Sequence, residues 1–136
     1  AAFPEDKLFS YSIGGMRPFS GLAMELLNIA SPGVYGLATG EWTTMQELLQ
    51  HTGLTAPSNK EELLQLWDIT TVQLNEVWPR IAPETFPKQV KAFNQYDGTG
   101  ISAVFYYIDN EIHHRAQGYV YLRSLGIEPP FFWDRK

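Results

Sequence analysis

The stretch DNEIHHRAQGYVYLR, Asp109–Arg123, lies at the centre of the segment that decides the fold. Its periodicity predicts a helix over residues 102–125, which ends at Gly126 before two prolines that cannot continue it. Residues spaced alternately four and three apart share one face of this helix, and most have polar side-chain atoms. The members of this polar stripe are Ala103, Tyr107, Asn110, His114, Gln117 and Tyr121.

The opposite face of the same helix carries an apolar stripe. Its members are Phe105, Ile108, Ile112, Ala116 and Tyr119. A helix with this much apolar surface is too hydrophobic to be half solvated. We therefore expect the polar stripe to face a pocket or an interface rather than open water.

Length and composition indicate one domain over residues 1–136, with 44% hydrophobic residues to form a core. The net charge of −5 and the lack of a Lys/Arg cluster argue against direct nucleic-acid binding. Without cysteine, thiolate nucleophiles and sulfur-ligated zinc sites are excluded. No apolar run is long enough to span a membrane and no leader pattern is visible, so we expect a cytoplasmic protein without a membrane partner.

Three more segments have helical periodicity. The first covers residues 19–39, and we expect a single helix kinked at Pro32, although two abutting helices would also fit. A short helix follows Thr44, whose spacing from Glu47 predicts a capping box, and it stops at Gly53. A long helix begins after Ser58, with Glu61 as its capping partner, and runs to Pro79.

The rest of the chain is predicted to connect or flank these helices. Residues 79–100 should form an ordered connection, extended around 90–93, that adds nothing to the core. The tail IEPPFFWDRK should pack back through its aromatic rings. These elements predict an all-α antiparallel bundle with three long helices. The fourth helix of such a bundle could be missing from the N-terminus, be supplied by a partner, or not exist.

Two features of the predicted bundle suggest a polar site. Asn110 and His114 stand one helical turn apart, the spacing by which a helix offers two ligands to one metal ion. Glu25 lies on the apolar face of the helix over residues 19–39, where an unpaired carboxylate is costly. It needs a metal, histidine, arginine or water as a partner. The alternative is a structural role, which is as well supported for His114 and is favoured for Glu25, as a partner of an arginine or histidine, and for Asn110, as a hydrogen-bonded core residue.

The run DNEIHHRAQGYVYLRSLGIEPPFFW resembles the last-helix motif of the DinB family, within the DinB/YfiT-like superfamily. The runs MRPFSGLAMELLNIA and LATGEW are similar to the family's second helix and its exit. The resemblance implies a four-helix bundle, usually dimeric, whose first helix is absent or truncated here. It also implies a damage-inducible, stress-associated protein.

Members of this family typically bind nickel or zinc through three histidines. The resemblance places Glu25, Asn110 and His114 at the three ligand positions, so two of the histidines are replaced. One alternative is a hydrolase or thiol transferase that acts on a small molecule and uses a divalent metal (Ni, Zn or Mn). In that case Tyr107, Gln117 and Tyr121 would line the pocket around the metal. The other is a dimeric scaffold in which the metal site has decayed. The family's Gly-Gln pair reads Ala116–Gln117 here.

Overall fold

The computed structural model describes residues 1–50 and 56–134. This part of the chain is mostly helical, with a small two-stranded sheet. The helices are α1 (Glu5–Leu8), α2 (Phe19–Thr39), α3 (Met45–Gln50), α4 (Lys60–Val77) and α5 (Gly100–Ser124). After α4, the 3₁₀ turns Trp78–Arg80 and Pro83–Thr85 lead to the strands β1 (Gln89–Ala92) and β2 (Tyr96–Thr99).

Helix α2 is the centre of the structure, because both α4 and α5 pack against it. It is one helix through the buried Pro32, which confirms the single helix, and the kink at Pro32 stays a prediction. Its first half joins a core cluster of Phe3, Leu8, Leu22, Leu27, Met45, Leu63, Leu66, Tyr121 and Leu122. Its second half joins a cluster of Val34, Leu37, Ile81, Ala92, Ala103 and Tyr107. None of the helices in the described residues is long and apolar enough to cross a membrane.

Local side-chain hydrogen bonds define where α5 begins and a glycine marks its end. The Thr99 hydroxyl accepts a hydrogen bond from the Ser102 N–H at 3.2 Å, which caps the first turn. Gly126, with φ of +73°, follows the last turn in the left-handed conformation that glycine adopts without strain. Both ends agree with the predicted helix to within two residues.

The two predicted capping boxes have different outcomes. In α3 the prediction is confirmed, because the Glu47 N–H donates to the Thr44 hydroxyl at 3.2 Å and the Thr44 N–H donates back to the carboxylate at 2.7 Å. In α4 the cap is Asn59, which accepts from the Glu62 N–H at 2.9 Å. The Ser58 and Glu61 pair is therefore wrong by one position. The predicted stop of α3 at Gly53 lies outside the described residues.

The connection over residues 79–100 contains a β-hairpin, so the strictly all-α prediction is wrong there. Strands β1 and β2 pair antiparallel, and Phe93, Asn94 and Gln95 form the turn, with φ of +54° at Phe93 and +56° at Asn94. None of the turn residues is a glycine, so the usual hairpin signal was absent. The same segment places Ile81 and Ala92 in the second core cluster, and the prediction that it adds nothing to the core is also wrong.

The C-terminal tail does not pack back as predicted. Phe131, Phe132 and Trp133 are 60%, 61% and 64% exposed. The rings of Phe131 and Trp133 stack on each other with centroids 4.6 Å apart. The tail is instead fixed through Pro129, which is buried, and Ile127, which packs on the first core cluster.

Candidate functional site

Contacts at two levels show that α2 and α5 run antiparallel. The Phe19 ring lies 6.4 Å from that of Tyr121, near the start of α2 and the end of α5. Toward the other end, Tyr107 packs against Gly33 so closely that a β-carbon there would lie 2.5 Å from the ring. Between these two contacts, Glu25 on α2 lies at about the same level along the helix axes as His114 on α5. The fold thus brings to one region the helix segments that carry the predicted ligands.

Glu25 is paired with an arginine. The Arg17 Nη1 lies 2.5 Å from the Glu25 Oε2, and the two side chains are 52% and 29% exposed. The Arg17 stem crosses Gly21, where an added β-carbon would lie 3.3 Å from it. The half-buried carboxylate therefore has a positively charged partner, which is one of the partners that the sequence predicted for it.

His114 is half-buried on α5 and is oriented by Gln117. Its Nδ1 lies 2.8 Å from the Gln117 Oε1. An amide oxygen only accepts, so this contact is a hydrogen bond when Nδ1 carries the hydrogen, and in that tautomer the lone pair is on Nε2. The neighbouring His113 is exposed and its ring meets that of His114 edge-on at 4.9 Å. Gln117 thus favours the Nδ1–H tautomer of His114.

The polar stripe of α5 faces the interior of the structure, but its two tyrosines, Tyr107 and Tyr121, make separate contacts. The Tyr107 hydroxyl donates to the Gly33 carbonyl at 3.3 Å. Burial raises the pKa of Tyr107 above its usual value, and the neighbouring Tyr106 adds to this. Tyr121 is 0% exposed, and its hydroxyl donates to the Arg17 carbonyl at 2.8 Å. Tyr107 and Tyr121 belong to different core clusters, so they do not surround one pocket.

An open groove of about 530 Å³ lies between α4 and α5, with α2 as its floor. Asn110 and Tyr107 line this groove, whereas Glu25, His114, Gln117 and Tyr121 do not. Most of its surface is apolar. Its main side chains are Leu26, Ala30 and Val34 from α2, Trp67, Leu74 and Trp78 at α4, and Val104, Ile108 and Glu111 from α5. The helical periodicity that predicted α4 gave no sign of this groove.

A comparison with protein-family models matches residues 36–134 to the DinB family. The chain belongs to the DinB family. The match includes α3, α4, the hairpin and α5, and therefore Tyr107, Asn110, His114, Gln117 and Tyr121. A comparison with curated proteins finds no match.

The donor set of this DinB-family chain does not match the three-histidine metal centre that the resemblance implied. In the part of the chain that the structure describes, no three His, Asp or Glu side chains are grouped so that they could hold one metal ion. The donors at the expected positions are one imidazole, one amide and a carboxylate that already binds a guanidinium. A neutral amide oxygen is a poor ligand for zinc or nickel. One oxygen of that carboxylate already has a guanidinium partner.

The apolar stripe of α5 is the other feature that the family fold leaves at the surface. Phe105, Ile108 and Ile112 are 60%, 46% and 49% exposed. Ile108 belongs to both the stripe and the groove, so the two form one continuous apolar surface. A patch of this kind marks an interaction site on most proteins.

Proposed function

We propose that this DinB-family chain works as a homodimeric binding scaffold rather than as a metal-dependent enzyme. The cytoplasmic, stress- or damage-associated role that the family resemblance implies belongs to the same proposal. It is carried by one observation, the continuous apolar surface formed by the groove and the α5 stripe. The net charge of −5 supports a protein partner rather than a nucleic acid.

The size of this surface supports a second copy as its occupant. Trp67, Trp78, Phe105, Ile108 and Ile112 are each about half exposed. At roughly 100 Å² each they offer about 500 Å², before the groove floor is added. This area is in the upper part of the range of about 300–600 Å² for the largest apolar patch of a monomer, a patch that is often functional, and the groove floor brings it closer to the about 800 Å² that each partner buries in a standard interface. Burying this apolar surface against a partner is more favourable in free energy than leaving it exposed to water.

A second copy would also complete the four-helix bundle expected from the sequence. Two helices pack on the central α2, and the groove between them is bordered by helices on three sides. A helix laid into that groove takes the fourth position of a bundle and meets apolar side chains along the floor and both walls. In this proposal the partner copy supplies that helix.

Oligomeric state tests the scaffold directly. Size-exclusion chromatography with light scattering should give a dimer for the unmodified chain at micromolar concentration. The double substitution Phe105→Glu and Ile112→Glu should give a monomer, because charges would replace apolar contacts. Val72→Glu is the matched control, since Val72 is 55% exposed on α4 and does not line the groove. A monomeric unmodified chain would reject the dimer.

Thiol labelling tests whether the groove is the covered surface. The chain has no cysteine, so a single one can be introduced without a background. Ala30→Cys places a thiol on the groove floor, and the control Val72→Cys places one on an exposed position of α4 outside both the groove and the α5 stripe. A maleimide should label the Ala30→Cys protein slowly in the dimer and faster on dilution. A dimer whose groove thiol reacts as fast as the control would place the interface elsewhere.

A divalent-metal-dependent hydrolase or thiol transferase that acts on a small molecule is the second candidate. One observation favours it: the hydrogen bond to Gln117 leaves the His114 Nε2 with its lone pair, as a metal ligand or a base requires. Glu25 and Asn110 would be its partners. Metal that copurifies stoichiometrically and is lost in His114→Ala would favour this candidate over the scaffold.

A further inference from the structure

The C-terminal tail carries an ordered cluster of exposed aromatic rings beyond the end of α5. The Asp134 N–H donates to the Phe131 carbonyl at 3.0 Å and closes a turn, which we call the tail turn. Within it Phe131 stacks on Trp133, and the Phe132 ring meets that of Trp133 edge-on with centroids 5.0 Å apart. The buried Pro129 fixes the base of the turn. The three rings are therefore held together in one place before any partner binds.

A second exposed apolar surface lies at the start of α5. The Ile101 N–H donates to the Phe86 carbonyl at 2.9 Å, and the Phe86 ring lies 6.2 Å from that of Trp78. These contacts place Trp78, which lines the groove, beside the first turn of α5. Trp78 and Ile101 are both exposed, and Phe105 continues the exposed surface one turn further along α5. One end of the groove, the Trp78 end, is thus surrounded by apolar side chains.

The tail turn and the Trp78 end of the groove lie at opposite ends of α5. A helix rises about 1.5 Å per residue, so the 25 residues of α5 separate them by about 37 Å. Pro129 holds the tail turn at its own end, so the turn cannot enter the groove of its own chain. Ile112, an exposed member of the apolar stripe, is the middle residue of α5. Two α5 helices that pair antiparallel about Ile112 therefore bring each tail turn to the Trp78 end of the other copy.

We infer, on the basis of the proposed homodimer, that the helix supplied by the partner is α5, antiparallel to α5 of the first copy, and that each tail turn covers the Trp78 end of the partner's groove. The exposed area supports this arrangement. The three rings of the tail turn are each about 60% exposed and offer roughly 120 Å² apiece. Together with the stripe and the groove, they bring the apolar area on each copy to about the 800 Å² of a standard interface.

Cross-linking between two different single-cysteine chains tests which parts of the two copies meet. Asp134→Cys places a thiol on the tail turn, and Asn75→Cys places one at the groove, one helical turn before Trp78. After the two proteins are mixed and exchange subunits, a short bismaleimide should join one chain of each kind, a product that mass spectrometry identifies. Glu76→Cys is the matched control for Asn75→Cys, because Glu76 is exposed at the same level of α4 and does not line the groove. It should form the mixed product much more slowly.

Substitution of the tail rings tests whether they contribute to binding. The double substitution Phe131→Ser and Trp133→Ser should raise the dissociation constant of the dimer at least about tenfold in sedimentation equilibrium, because buried aromatic side chains carry much of the binding energy of an interface. Both rings are exposed in the single chain, so circular dichroism should show an unchanged fold. Leu64→Ser removes an exposed apolar side chain of α4 that does not line the groove, and it should leave the dissociation constant unchanged.

Three outcomes would overturn the inference, and only the last also removes the homodimer. If Asp134→Cys chains cross-link to each other and not to Asn75→Cys chains, the α5 helices pair parallel and one tail meets the other. If the chain is a dimer whose dissociation constant is unchanged by the tail substitutions, the tail turn lies outside the interface. If the unmodified chain is a monomer at micromolar concentration, both the inference and the proposed homodimeric scaffold fail.

Discussion

Tyr121→Phe removes one hydroxyl from the centre of the first core cluster and keeps the ring. That hydroxyl makes hydrogen bonds of 2.8 Å to the Arg17 carbonyl and 3.3 Å to the Ile13 N–H. A typical hydrogen bond contributes about 1 kcal/mol, and a partly buried group left without its partner costs about 1–3 kcal/mol. Because the second bond is long, we expect a loss of about 2 kcal/mol. In a chain of this length that corresponds to a fall in Tm of roughly 8 °C.

Thermal and urea unfolding followed by circular dichroism measure this loss, and Tyr11→Phe is the matched control. The Tyr11 ring meets that of Tyr121 edge-on, and its hydroxyl pairs with the Ser124 hydroxyl at an exposed position, 2.9 Å away. Water can replace that bond, so the control should lose less than about 0.5 kcal/mol. Equal losses in the two variants would show that Tyr121 does not anchor the segment before α2.

Three further predictions concern the contact between Gly33 and Tyr107, the start of α5 and the titration of Tyr107. Gly33→Ala should lower the free energy of unfolding by about 1–3 kcal/mol, because its β-carbon would lie 2.5 Å from the Tyr107 ring. This cost should exceed the gain from the better helix propensity of alanine. An unchanged midpoint of urea unfolding would contradict this contact. Thr99→Ala should cost about 1 kcal/mol by removing the acceptor for the Ser102 N–H, whereas Thr99→Ser should restore most of it in the same assay. The pKa of Tyr107 is raised in the folded protein, so its contribution to stability is complete below pH 10 and is lost as the pH rises through the folded-state pKa. In Tyr107→Phe, the free energy of unfolding should therefore fall less steeply above pH 10, as measured by urea unfolding at several pH values. A fall as steep as in the unmodified protein would show that other groups cause it.

Helical periodicity predicted the parts of the fold that depend on local spacing. All six positions of the polar stripe on α5 are buried or half-buried, and α2 continues through Pro32 as expected. The apolar stripe shows the limit of this reasoning, because Phe105 and Ile112 are exposed. Periodicity identifies a face that needs a partner but cannot say whether the same chain supplies that partner.

The errors have local physical causes. The hairpin has four-residue strands and a turn built from Phe93, Asn94 and Gln95, so neither alternation nor a glycine marked it. Ser58 and Asn59 are both good caps and each has a glutamate three residues later, so spacing alone could not choose between them. The aromatic tail was expected to be buried from its composition, but Phe131 and Trp133 stack on each other instead.

The sequence predicted which polar residues belong to the candidate site but not how they are arranged. The position of Glu25 on an apolar face correctly indicated a need for a partner, and the structure supplies Arg17. The spacing of Arg17, Gly21 and Glu25, each four residues apart, was the available signal. The groove could not be predicted, because it depends on how far apart α4 and α5 lie on α2.

Native mass spectrometry of protein purified without an affinity tag or chelator tests the metal-independent homodimer most directly. We predict a species of twice the 15.5 kDa chain mass with no added metal. A monomer, or a mass increase of one divalent ion per chain that disappears in His114→Ala, would contradict the account.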